Sequence, residues 1–256
     1  MFEIAPGART EAARLYLSAE IFFPLIGAVL DGNQDGWVFG DAAADPAQVY
    51  VEHASGYAQF FGRPNPAFEA ALADYLAGGA FRAPKARLYA PRLPDFLASG
   101  AFDEIRSERQ RFRLLDGPTP PTEPVRDGVI VRSAEAADLG AIEEVFGAIR
   151  RFWRDEAGFL SAGRPSLVIR NGAIAALCYA AAEADQRAEI DVGTHPEMRR
   201  GGFGLMAASH FVAQSRAAGI EPLWDCFSNN AGSMGLAAAL GYRPFGAPYS
   251  FFTFAR

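Results

Sequence analysis

The segment Arg199-Arg-Gly-Gly-Phe-Gly204 carries the residue types that hold an anion. Its two arginines bring positive charge. Its glycines let a backbone approach a ligand closely and adopt dihedrals that other residues resist. The pattern predicts a strand over Arg187–Thr194 before it and a helix from Gly202 to Ala218 after it. A helix start offers unpaired N–H groups and the positive end of the dipole. Strand, glycine-rich turn and helix start together make a diphosphate cradle. The alternative is a glycine-rich turn that only packs.

Of two other phosphate-binding readings, one fails for want of a lysine and the other is disfavoured by its spacing. A P-loop needs GxxxxGK[ST], and this helix lacks the lysine. A dinucleotide fingerprint would run Gly202-x-Gly204-x-x-Ala207, with Asp225 downstream, but that fingerprint follows its strand directly. Here His195-Pro-Glu-Met-Arg-Arg200 intervenes, and too little chain follows to complete such a sheet.

Other elements must position this loop. Val129–Arg132 reads as a short strand. Ser133 is placed to cap a helix from Ala134 to about Arg151, with Glu135 in its first turn. The capping-box position is Ala136, so no box is expected there. Ser166–Arg170 and Ala173–Ala181 flank Asn171-Gly172, a strong hairpin signal. Pro222–Phe227 reads as strand, Ala231–Leu240 as helix ended by Gly241, and Tyr249–Phe254 as a last strand. In the first half, Thr10–Leu30 suggests helix and Gln48–Phe61 strands. Pro66–Ala77 suggests helix, Arg87–Ala90 strand, Leu93–Phe102 helix and Arg109–Leu115 strand. That tail repeats the element order of the second half's tail without repeating its residues. Between the halves, Asp116–Pro124 has four prolines in nine residues, which excludes helix and sheet interior. The expected organisation is therefore a domain over 1–115, a proline-rich linker over 116–127 and a second domain over 128–256.

Composition limits the function. Among 256 residues, 24 Lys+Arg stand against 30 Asp+Glu, a net charge of −6, and half the chain is apolar. Such a chain buries a core without staples. The acidic balance opposes a general nucleic-acid or anionic-membrane binder. Two cysteines, Cys178 and Cys226, build neither a disulfide framework nor a cysteine-rich zinc site, and His53, His195 and His210 lack metal-ligand spacing. No metal is expected. Glu3 and Glu11 near the start, without a basic stretch and long apolar run, do not read as a signal peptide. The longest apolar run, Ile21–Leu30, is too short to span a bilayer. The reading is a cytoplasmic protein.

Arg199-x-x-Gly202-x-Gly204 after a strand, Asn230-x-x-Ser233, and Leu240-Gly241-Tyr242 resemble the GNAT superfamily of N-acetyltransferases. The resemblance covers residues 128–256 well and the first half loosely. It is similar to a bacterial subgroup whose C-terminal GNAT domain follows a degenerate N-terminal one. It implies an α/β (α+β) fold: a mixed, mostly antiparallel sheet flanked by helices, with a second GNAT-like or α/β domain in front.

The resemblance also implies roles. N–H groups of Arg199, Arg200, Gly201, Gly202, Phe203 and Gly204 would hold the diphosphate of acetyl-CoA. The backbone of Val192, Gly193 and Thr194 would pair with the pantetheine arm, which Asn230 and Ser233 would also meet. An amine of a small molecule would attack the thioester directly. A base must then take a proton from the ammonium, and a donor must face the thioester oxygen. A backbone N–H over Asp191–Gly193 is the expected donor. Strand alternation puts Glu189, Asp191 and Gly193 on one face. Glu189 lies near the family's base position, and Asp191 shares its side; both could equally be ordinary hydrogen-bonded carboxylates. The family's usual tyrosine acid falls at Ala237. Ser233, Tyr242, Cys226 or water would have to take its place. His195 is expected on the phosphate side, and Trp224 and Cys226 in the core. Arg150-Arg-Phe-Trp-Arg154 would either border the acceptor or form a solvated helix end. Two other functions remain: a CoA-binding regulatory protein with a lost active site, and an aminoacyl-tRNA-dependent transferase, which the net charge opposes. A homodimer is compatible with the sequence.

Overall fold

The computed structural model describes residues 1–115 and 127–256. The expected linker at 116–127 therefore lies outside the described residues except for Asp127. The chain divides into two compact units. One comprises Met1–Arg109 with Ala247–Arg256, the other Gln110–Gly246. This differs from the division expected at the prolines. The final strand was assigned to the second half, yet its end pairs within the first unit.

In the first unit the elements run β1 (Phe2–Glu3), α1 (Thr10–Tyr16), α2 (Pro24–Leu30), β2 (Gly36–Gly40), β3 (Gln48–His53), β4 (Tyr57–Gly62), α3 (Pro66–Ala77), β5 (Lys85–Ala90), α4 (Asp95–Ala98) and the start of β6 (Arg106–Leu114). Strands β1 to β4 pair antiparallel in sequence order. Strand β4 then pairs parallel with β5. On its other side β5 receives Ser250–Ala255, antiparallel. That segment ends with Phe252 and Phe254 in the same buried cluster as Phe68, Leu72 and Leu76 of α3. Phe252 and Phe254, two residues apart on one face, thus serve this core, while Tyr249 and Phe251 on the other face are buried too. The long helix expected over Thr10–Leu30 is two short helices. Pro24 removes an N–H and restricts Phe23 to extended backbone, so α2 starts anew there.

In the second unit the order is β7 (Val129–Ser133), α5 (Leu139–Phe146), α6 (Ala148–Phe152), α7 (Glu156–Ser161), β8 (Ser166–Arg170), β9 (Ala173–Ala184), β10 (Arg187–Thr194), α8 (Phe203–Ala217), β11 (Glu221–Phe227), α9 (Ala231–Ala239) and the start of β12 (Tyr242–Ala255). Strands β7 to β10 pair antiparallel in sequence order, and β10 pairs parallel with β11. The mixed, mostly antiparallel sheet flanked by helices is the fold class expected. Asn171 and Gly172 both take positive φ, 50° and 84°, as a two-residue hairpin turn requires. The helix expected over 134–151 is broken. Glu135 and Asp138 form a capping box around a single 3₁₀ turn, a box missed by anchoring the helix at Ser133. Gly147, left-handed at φ 57°, then ends α5 before α6. Phe203, Ala207, Phe211 and Val212 of α8 pack with Ala188, Trp224 and Tyr242 in one core.

Candidate functional site

The site is built on β10 and α8. Strand β10 pairs with β11 only over Arg187–Glu189. Its pairing with β9 continues to Thr194. The β11-side edge of Ile190–Thr194 is therefore outside the parallel ladder. The break has a local cause. Glu189 faces Ala182 but Ile190 faces Ala180, so the register steps over Ala181. Such a bulge bends a strand and increases its twist, and it falls where the parallel pairing ends.

Alternation along β10 holds through the bulge. Ala188, Ile190 and Val192 pack into the core that includes α8. Asp191 and Gly193 face the helices of the other layer. A Cβ on Gly193 would lie 2.8 Å from the Phe146 ring, so this position needs a glycine for close approach. Asp191 Oδ2 accepts from Tyr179 Oη at 2.7 Å and pairs with Arg151 at 3.4 Å. Burial and the Asp191 carboxylate push the Tyr179 phenol well above its ordinary value, so it stays protonated and donates. Glu189 is only 7% exposed. The two candidate bases therefore differ: one is buried, the other stands at a charged rim.

Beyond Thr194 the chain runs through His195 and a 3₁₀ turn, Pro196–Met198, to Arg199. Gly202 caps α8 in the left-handed region at φ 81°, and no side chain caps the helix. Helix geometry leaves the first N–H groups, those of Phe203, Gly204 and Leu205, without an acceptor four residues back. No acidic residue stands in this first turn. Arg199 and Arg200 are exposed, and neither has an ion-pair partner among the described residues. Gly201 lies in the turn between them and the helix. Gly204, on the second residue of α8, sits beside the Thr194 hydroxyl. The guanidinium of Arg170, at the end of β8, lies 5.6 Å from the centre of the Phe203 ring. Two exposed arginines thus stand on the turn that leads into an uncapped helix start, with a third against the ring of its first residue, an arrangement that fits a diphosphate. His195 adds a buried Nδ1 without a hydrogen-bond partner.

On the far side of the splay, Asn230 caps α9 by accepting from the Ser233 N–H at 3.0 Å. Ser233 Oγ accepts from Trp224 Nε1 at 3.2 Å. That bond orients the hydroxyl and leaves its own proton to donate. Of the alternatives for the missing acid, Tyr242 donates to the Pro222 carbonyl at 2.9 Å and is fully buried. Cys226 lies in the core, as does Ala237.

Sequence reasoning missed Tyr179 and Arg170. Counting back from the Asp185-Gln186 turn places Ala180 opposite Asp191; only the bulge brings Tyr179 there. Arg170 was legible as the residue before the Asn-Gly turn, but its nearness to Phe203 depends on how α8 packs on β8.

Residues 132–252 match the family model for GNAT acetyltransferase. An uncharacterized N-acetyltransferase of Bacillus subtilis, YdfB, is 33% identical over 92 residues, covering 36% of this chain and 35% of that protein. The match thus spans about a third of the curated relative's length. Among solved structures, a GCN5-related N-acetyltransferase-like protein from Streptococcus suis superposes with TM-score 0.73 at 17% identity, covering 98% of this chain and 99% of the other. A tandem GNAT protein from the clavulanic acid biosynthesis pathway superposes with TM-score 0.68 at 13% identity, covering 98% and 97%. These two likenesses show the fold. Profile, relative and fold agree with the loop and strand geometry: the chain carries a GNAT acetyltransferase domain over residues 132–252.

Proposed function

We propose that the second unit binds acetyl-CoA and transfers its acetyl group to the amine of a small molecule. The observation that carries this is the uncapped start of α8, reached through a turn that carries the exposed Arg199 and Arg200, directly beyond a strand whose inner edge is free of β11. Acetyl-CoA supplies the activated acyl carbon. The α8 N–H groups, Arg199 and Arg200 hold its diphosphate. The open edge of Val192–Thr194 offers backbone partners to the pantetheine arm, and a backbone N–H of this stretch faces the thioester oxygen. Glu189, shielded from bulk water, accepts the proton of the acceptor's ammonium. The nitrogen–carbon bond forms as the carbon–sulfur bond breaks, and Ser233 donates a hydrogen bond to the departing thiolate. The acceptor enters from the side of α5 and α6, because α8 takes the cofactor's other face. The natural setting proposed is the cytoplasm, with no nucleic acid or membrane partner.

The test is acetylation of an amine panel, followed by thiol release and by mass. Glu189→Gln should lower kcat at least a hundredfold with acetyl-CoA binding retained. A second reading is a CoA-binding regulatory protein, favoured by Ala237 where the family's tyrosine would stand. Tight acetyl-CoA binding with no transfer to any amine would establish that reading instead.

A further inference from the structure

The first unit has its own parted pair of parallel strands. Strand β4 pairs with β5 only over Tyr57–Gln59, yet its pairing with β3 runs on to Gly62. Proline ends the ladder. Pro91, two residues beyond Tyr89, has no N–H for the next carbonyl of β4, that of Phe60. Two bonds fix the phase of the strand. Arg87 N–H donates to the Gly56 carbonyl on the β5 side at 2.6 Å, and Arg63 N–H donates to the Ala47 carbonyl on the β3 side at 2.8 Å. Alternation then turns the Phe60 carbonyl and the Gly62 N–H toward β5, where the strands have parted.

A cavity of about 240 Å³ lies at this gap. Its lining takes in 59–63 of β4 and the turn after it, Pro91 and Arg92 beyond β5, and the end of α1 with the chain that follows. Gln59 is 1% exposed and clasps that chain. Its Oε1 accepts from Tyr16 Oη at 2.6 Å and its Nε2 donates to the Ile21 carbonyl at 3.0 Å. Leu15, Phe61 and Pro91 give the cavity an apolar wall. Two exposed ions, Arg63 and Glu20, also line it. Neither side chain has an ion pair or hydrogen bond among the described residues. They therefore share one cavity without touching each other. Arg92, by contrast, is paired with Glu69 at 2.8 Å and lies 5.0 Å from the centre of the Phe60 ring.

From this arrangement we infer that the first unit binds an apolar α-amino acid. Its carboxylate meets the Arg63 guanidinium. Its ammonium meets Glu20 and the open Phe60 carbonyl. Its side chain lies against Leu15, Phe61 and Pro91. A zwitterion answers both unpaired ions at once, whereas a plain carboxylate or amine leaves one of them unanswered. The volume falls below the range of about 300–1,000 Å³ usual for larger ligands, and Asn65 caps the helix start that follows β4. The gap is thus suited to a molecule of amino-acid size and not to a coenzyme. This binding does not depend on acetyl transfer by the second unit.

Titration calorimetry of the whole protein, without acetyl-CoA, tests it with four probes. They are L-leucine, isocaproate (which lacks the ammonium), isoamylamine (which lacks the carboxylate) and L-aspartate (whose side chain is charged). L-Leucine should bind at least about tenfold more tightly than the other three. Arg63→Gln and Glu20→Gln should each weaken it at least about tenfold and leave acetyl-CoA affinity unchanged. Both side chains are exposed, so the chain should stay folded in either variant. Gly202→Glu, at the start of α8, should leave L-leucine binding intact. No L-leucine binding by the wild type overturns the inference. Equal binding of isocaproate or isoamylamine overturns the zwitterion. An affinity unchanged in Arg63→Gln and Glu20→Gln, or lost in Gly202→Glu, overturns the placement in the first unit.

Discussion

Both units run strand, two or more short helices, three strands, helix, strand, helix, strand, and in each a helix joins the two strands of a parallel pair. What each does with that helix start is opposite. In the second unit α8 begins at an uncapped Gly202, just after the exposed Arg199 and Arg200. In the first unit α3 begins at Asn65, whose side chain accepts from the Ala67 and Phe68 N–H groups at 3.1 and 3.3 Å. Pro66 follows and has no N–H to offer. Asn65 also donates to Asp41 at 2.9 Å, and Gln48 links the Asn65 backbone to Glu69. Burial pushes the Asp41 carboxyl up, but bonds from Asn65, Gln48 and Ala47 outweigh it and hold it below its ordinary value. The first unit thus answers its orphan donors with its own side chains and sets two carboxylates where the second unit sets guanidiniums. The same topology becomes a closed helix start in one case and an open, arginine-flanked one in the other.

The sharpest way to break this contrast is to close the open cradle. Gly202→Glu introduces a Cβ at φ 81°, which is strained for an L side chain, and a negative charge at the proposed phosphate position. Acetyl-CoA affinity should fall at least about a hundredfold. Titration calorimetry of the wild type should give one acetyl-CoA per chain, and the variant should lose it. A second site surviving in Gly202→Glu would show that the first unit also binds.

Acidification should separate the units next. His53 is buried in the first unit. Its Nδ1 accepts from the Ser55 N–H at 2.9 Å, so the proton sits on Nε2 and is donated to Gln34 at 3.0 Å. Burial lowers its value from 6.5 to about 4, against the raising effect of Asp35. The folded state therefore refuses a proton that the unfolded chain accepts. Stability is fully present above pH 6.5 and is lost as pH falls toward 4, by about 3 kcal/mol. His210 in the second unit is half-buried and shifted in the same direction by burial, and contributes less. Denaturant titrations across this range should show the slope, and His53→Asn should flatten it more than His210→Asn.

How much of this was legible in the sequence follows from what is local. The loop from Arg199 to Gly204 declares itself because its chemistry is contiguous. Helix α3 was readable over Pro66–Ala77, the bounds it has in the structure. Strand β2 was not foreseen: Gly36-Trp-Val-Phe-Gly40 is short, bounded by glycines, and formed by pairing with β3 rather than by its own pattern. The place of Ser250–Ala255 in the first unit could not be read at all, because an apolar run states that a strand is buried and not which neighbours bury it. The place of Tyr179 opposite Asp191 was hidden by one bulge.

Arg200 tests the cradle at smaller scale. It is exposed and held at φ 62°, so its charge is presented without an internal partner. Arg200→Ala should weaken acetyl-CoA about tenfold, and the loss should shrink at high salt. An equal loss at all salt concentrations would mean that the substitution acts through the turn's shape.

Asn65→Ala is the smallest change and the most discriminating. It removes a side chain that satisfies two N–H groups of α3 and so should cost about 1 kcal/mol, a fall of about 2–4 °C in the thermal midpoint for a chain of this size. It also leaves the first unit with an uncapped helix start. If an open helix start sufficed for a diphosphate, this variant would gain a second acetyl-CoA. The expected result is that it does not. Asp41 and Glu69 remain beside the exposed N–H groups, Pro66 still lacks its own, and Arg92 stays paired with Glu69 at 2.8 Å. A stoichiometry that stays at one, in a measurably less stable chain, would place the distinction between the units in charge and not in capping alone. A stoichiometry of two would place it in the cap.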